Sequence, residues 1–209
     1  MTTKRSLIRR ASAVAAAATA ALVLAACGGN GNDSGSAHNG HDTAASPSAS
    51  APVAQDDHNA ADTAFAQGMI PHHRQAIEMA DLAATRAESP EVKKLADEIK
   101  KAQDPEIKTL SGWLTSWGEQ VPSEGEGHGG HDMSGMMTAE EMKQLESSSG
   151  KAFDTAFLQL MVKHHEGAVT MAKTEQSEGT YQPAKDMAQA IITSQSSEIA
   201  RMNTLLGKS

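Results

Sequence analysis

Laid over itself with an offset of 92 residues, the chain matches without a gap: "DTAFAQGMIPHHRQAIEMA" (Asp62 to Ala80) falls on "DTAFLQLMVKHHEGAVTMA" (Asp154 to Ala172). The register holds further on, with Leu95 on Met187, Ile99 on Ile191, Gln103 on Gln195, Glu106 on Glu198, Ile107 on Ile199 and Leu114 on Leu206. The folded part is therefore two copies of one unit, and whatever one copy forms the other must form too.

Each unit reads as a helical hairpin. In copy one the second segment carries Val92, Leu95, Ile99, Ile107, Leu110, Leu114 and Trp117 at helical spacing. Ser89 is its expected N-cap and Pro90 its first turn, while Pro105 leaves the stripe in phase and predicts a kink, not a break. Copy two repeats the stripe with Ala184, Met187, Ile191, Ile199, Met202, Leu205 and Leu206. The turns inside each hairpin are short, and the stretch between the hairpins is long and Gly-rich. It ends at Thr138 with Glu141 three residues on, the pattern of a capping box for a short lead-in helix. Short, long, short connections predict an all-α, ferritin-like four-helix bundle with one crossover. Repeat one takes 62–118, the loop 119–137 and repeat two 138–206, within a domain over 58–209 that is closed in one chain or by pairing two into a homodimer.

Ahead of this domain lies a different kind of sequence. Lys4, Arg5, Arg9 and Arg10 precede an Ala-rich apolar run from Ala11 to Ala26 that stops at "LAAC". A run this short, ending in small residues, reads as a signal peptide over 1–27 and not as a spanning helix. "LAAC" resembles the bacterial lipobox and marks Cys27, the sole cysteine, as the lipidated N-terminus of a mature protein anchored to the outer face of the cytoplasmic membrane. Residues 28–57 are Gly, Ser, Ala, Asn and Pro with little to bury, a tether. No thiol is left for a disulfide, so stability rests on the core. The balance of 18 basic to 26 acidic residues becomes 14 to 26 once the four basic residues of the signal are gone, which excludes nucleic acid as a partner.

At about 100 degrees per residue, Phe65, Met69, His72, His73, Ala76, Met79 and Ala80 share an arc of about 120 degrees. So do Phe157, Met161, His164, His165, Ala168, Met171 and Ala172. The histidines thus point inward with the methionines, and Met69 sits three and four residues before His72 and His73, where helical side chains meet. Imidazole and thioether are neutral, soft to borderline donors that suit copper, Cu(I) above all. Zinc sites usually recruit Cys or a carboxylate, and di-iron sites of ferritin-like bundles need Glu-x-x-His, which neither motif helix contains. The expected metal residues are Met69, His72, His73, Met79, Met161, His164, His165 and Met171, with no organic cofactor. A possible secondary metal loop holds His128, His131, Met133, Met136 and Met137, and the tether adds His38 and His41.

The frames "F..GMIPHHRQAIEMA" and "F..LMVKHHEGAVTMA", with the later "AQDPEIKTLSGWL", resemble the domain of unknown function 305 (DUF305) family over about Asn59 to Leu206. That resemblance implies a ferritin-like, exported bacterial protein with links to copper binding and tolerance, and it places the family's signature on the same eight Met and His positions. Two other readings stay open. One is a metal-dependent redox or acid–base enzyme, against which stands the expectation that no inward carboxylate orients either imidazole and that the motif holds no nucleophile. The other is a structural or partner-binding bundle whose histidines satisfy one another.

Overall fold

The computed structural model describes residues 57–123 and 135–208, so Cys27, the signal segment, the tether histidines His38 and His41, and His128, His131 and Met133 lie outside the described residues. Among those described, five helices form and no strand: α1 (Ala60–Arg86), α2 (Pro90–Trp117), α3 (Ala139–Ser147), α4 (Gly150–Glu178) and α5 (Gln182–Leu205).

The helix starts follow local chemistry. Asn59 accepts from the Ala61 and Asp62 N–H groups while Asp62 accepts from the Asn59 N–H at 2.7 Å, a capping box at α1. Ser89 caps α2 through the Val92 N–H with Pro90 at the first position, and Thr138 and Glu141 form the expected box at α3. Both interior prolines, Pro71 and Pro105, stay within continuous helices.

The repeat is visible as an approximate two-fold. Hairpins α1–α2 and α4–α5 pack through α1 against α4, and the chain crosses over once between them. The start of α1 meets the end of α4, and the end of α1 meets the start of α4, where Ala87 and Gly150 form a backbone bridge; α1 and α4 are therefore antiparallel. Their shared "DTAF" has a structural reason. Asp62 accepts from the N–H groups of Thr180 and Tyr181 in the α4–α5 turn, and Asp154 accepts from those of Glu88 and Ser89 in the α1–α2 turn, at 2.9–3.2 Å. Each hairpin thus holds the other's turn. Arg201 of α5 also pairs with Glu98 of α2.

Two apolar clusters fill the interior, and the two-fold exchanges them. One gathers Met79, Leu95, Ile99, Phe153, Phe157 and Met161; the other gathers Phe65, Met69, Ile70, Leu110, Leu114 and Ile191, with Met171 packed against it. A fully buried side chain of this kind is worth roughly 1.5–3 kcal/mol, so the clusters supply the stability that no disulfide provides.

Candidate metal centre

Between the two clusters lies the layer that interrupts their apolar character. His72, His73, His164 and His165 are all fully buried, as their helical arc predicts. Because α1 and α4 run antiparallel and cross at these residues, His72 faces its own repeat copy: the His72 and His164 rings meet with centroids 3.8 Å apart and planes tilted by 44°. The neighbouring histidines reach outward to the second helix of their own hairpin. His73 Nε2–H donates to Glu106 Oε2 at 2.7 Å, and His165 Nε2–H donates to Glu198 Oε2 at 2.7 Å, each pair 33 residues apart in the chain.

These two carboxylates correct the expectation that no inward carboxylate orients either imidazole. The signal for them was present in the sequence. Ile99, Gln103, Glu106 and Leu110 follow one another at spacings of four, three and four, as do Ile191, Gln195, Glu198 and Met202. An acidic residue kept in phase with the buried stripe of both copies is a buried-side residue. Gln103 and Gln195 are buried on the same faces, and the side-chain oxygen of each lacks a partner.

The antiparallel crossing also decides which methionines belong together. Met69 joins the cluster against which Met171 packs, and Met79 joins the one that contains Met161. The two Met pairs therefore flank the histidine layer on opposite sides, each built from both repeats. Met69, Met79 and Met161 are fully buried, while Met171 is partly exposed. Of the loop residues, Met136 is half-buried, and Met137 is buried within the cluster of Met79 and Met161.

The described ends of the crossover are tied down beside this layer by the two residues that follow His73. Arg74 donates to the carbonyls of Pro122 and Ser123 at 2.8 and 3.1 Å, holding the outgoing end. Gln75 holds the returning end, accepting from the Met137 N–H at 2.7 Å and donating to its carbonyl at 2.9 Å. Their copies, Glu166 and Gly167, face no such task. Gly135, at φ +85°, brings the returning strand so near α4 that a Cβ there would lie 2.7 Å from the Lys163 carbonyl and 2.8 Å from the Gly167 Cα. The change from Gln75 to Gly167 is thus set by the crossover, which exists only once.

Burial, and then the neighbouring His72, His165 and His73, holds the His164 imidazole well below its usual range, so it is neutral at neutral pH, the form that binds metals. The layer fits a soft ion by its donor chemistry. Nδ1 of His73 and of His165 is buried without a hydrogen-bond partner, and methionine sulfur lies on either side. Among the described residues no three His, Cys, Asp or Glu side chains converge to hold an ion by themselves.

The sequence profile of the family described as "Domain of unknown function (DUF305)" matches residues 62–206. A crystal structure of a DUF305 protein from Streptomyces coelicolor is 36% identical, with a TM-score of 0.65 over 74% of this chain and 95% of that one. CopM has been solved in a Cu(II)-bound form, 36% identical with a TM-score of 0.61, and in a Cu(I)-bound form, 33% identical with a TM-score of 0.59, each over 69% of this chain and 94% of that one. It has also been solved bound to silver. No curated protein matches the chain.

Proposed function

The chain belongs to the DUF305 family, and we propose that it binds copper, held as Cu(I), in the histidine layer between α1 and α4, with Met69, Met79, Met161 and Met171 as thioether donors. The observation that carries this reading is the layer itself: four fully buried imidazoles flanked on both sides by methionines, in a chain similar to one solved with copper and with silver. Buried histidines that served only packing would be expensive, because each ring brings polar atoms that need partners. Neutral donors favour a monovalent over a divalent ion in such surroundings, since every uncompensated charge in an apolar interior is costly. Silver(I), soft and monovalent, fits the same chemistry.

In this reading the protein is exported, anchored by lipid on Cys27 outside the cytoplasmic membrane, and buffers copper or hands it on there. His128, His131 and Met133 would add a capture site on the crossover. The His73–Glu106 and His165–Glu198 pairs withdraw the argument that lack of a carboxylate disfavours acid–base chemistry, so the copper reading rests on the methionines and the soft donor set. Elemental analysis of the purified protein, followed by competition with a Cu(I) chelator, tests it. Bound copper is expected, and replacing His72, His73, His164 and His165 together by Ala is expected to cost at least tenfold in Cu(I) affinity. Unchanged affinity would make the layer structural.

A further inference from the structure

We infer that Glu106 and Glu198 fix the tautomers of His73 and His165, so that each imidazole offers Nδ1 to a soft monovalent cation, one cation for each His–Glu pair. This rests on the copper reading and deepens it by naming the ligating atom, the number of ions and the groups that offset their charge.

A carboxylate can only accept a hydrogen bond, so the proton of each imidazole sits on Nε2, 2.7 Å from the glutamate oxygen. The lone pair then resides on Nδ1. In both rings Nδ1 is buried and meets no donor, an arrangement that a packed interior avoids unless the atom has another use. A histidine whose outer N–H is tied to a carboxylate is the usual form of a metal-binding imidazole, because the partner fixes the ring and strengthens its basicity.

Charge completes the argument. A monovalent cation among imidazole and thioether carries one uncompensated positive charge into the core, and the glutamate behind each ring supplies one negative charge. The carboxylate side chains are 22% and 21% exposed, so they are solvated while the rings are not. A divalent cation would leave one charge unmatched at each pair. Geometry separates the two half-sites: Met69 lies one helical turn before His73, and Met161 one turn before His165, but the two methionines belong to apolar clusters on opposite sides of the layer. The rival arrangement is a single ion on the two-fold between His72 and His164.

The test uses the 15N-labelled protein and silver(I) as probe. Without metal, His73 and His165 are expected to show the Nε2–H tautomer by long-range 1H–15N correlation. Silver is expected to bind two per chain and to shift Nδ1 of both rings. Glu106→Gln keeps an acceptor for Nε2–H but removes the charge, so its tautomer is expected to persist while affinity for one of the two silver ions falls about tenfold or more. Glu106→Gln/Glu198→Gln is expected to weaken both. An Nδ1–H tautomer, silver on Nε2, a single ion per chain, or unchanged affinity in a folded Glu106→Gln variant would each overturn the inference while leaving copper binding standing. If the variants do not fold, the tautomer, ligating nitrogen and stoichiometry of the unmodified protein decide. A protein that takes up neither silver nor copper would overturn the copper reading and this inference with it.

Discussion

Beside the start of α1 lies a buried acidic group, Glu175, that makes stability depend on pH in a definite direction. Glu175 of α4 is buried, and neither of its oxygens meets an N–H or hydroxyl donor; its partner is another carboxyl, Asp62. Both lie against Gly179, where a Cβ would run into the Glu175 carboxyl. Burial, then the hydrogen bond and charge of Asp62, push Glu175 up to about 8 from its ordinary 4.5, with Lys185 opposing. Burial also acts to raise Asp62, but the Glu175 hydrogen bond and the N–H groups of Asn59, Tyr181 and Thr180 outweigh it and hold Asp62 below its usual value. At neutral pH Glu175 therefore carries the proton and donates it to an ionised Asp62.

The folded state binds this proton more tightly than the unfolded state, so the contribution to stability is fully present below pH 4.5 and is lost as pH rises through about 8. At about 1.36 kcal/mol for each pH unit, a displacement of this size is worth on the order of 3–5 kcal/mol. Glu175→Gln replaces the shared proton with an amide N–H that does not titrate. Urea unfolding of both proteins at several values between pH 5 and 8.5 measures the difference, in which the titrating groups that do not touch Glu175 cancel. The unmodified protein is expected to lose stability relative to the variant by most of that amount across the range. Parallel profiles would refute the shared proton.

Further perturbations read the crossover and the turn clasps. Gln75→Ala removes both bonds to Met137 and leaves buried backbone groups without partners, so a loss of about 1–3 kcal/mol is expected in denaturant unfolding, with faster amide exchange at Met137. Gly135→Ala combines a left-handed backbone with a Cβ against α4, and is expected to destabilise by at least about 1–2 kcal/mol. Asp62→Ala is expected to cost more than Asp154→Ala, because Asp62 also accepts from the Thr180 hydroxyl and the Asn59 N–H. Equal thermal shifts for the two would contradict that ordering.

Much of this protein is legible in its residues. The 92-residue register alone requires two like hairpins, the helical arc alone turns His72, His73, His164 and His165 inward, and Thr138 with Glu141 fixes the start of α3, because periodicity and capping are local physics. In-phase Glu106 and Glu198 were legible too, though an acidic residue in a buried stripe is easily taken for a solvated one. What no spacing within one helix determines is the direction in which α1 and α4 cross. The antiparallel crossing, with Asp62 and Asp154 holding opposite turns, brings His72 against His164 and sends Met69 to Met171 and Met79 to Met161. It likewise brings Glu175, which stands where the first copy has Ala83, against Asp62 of the other hairpin. The sequence determined which side chains the core must accommodate; only the packing of one hairpin on the other decided which of them share an ion, a proton or a turn, because those contacts join residues whose separation along the chain carries no periodic signal.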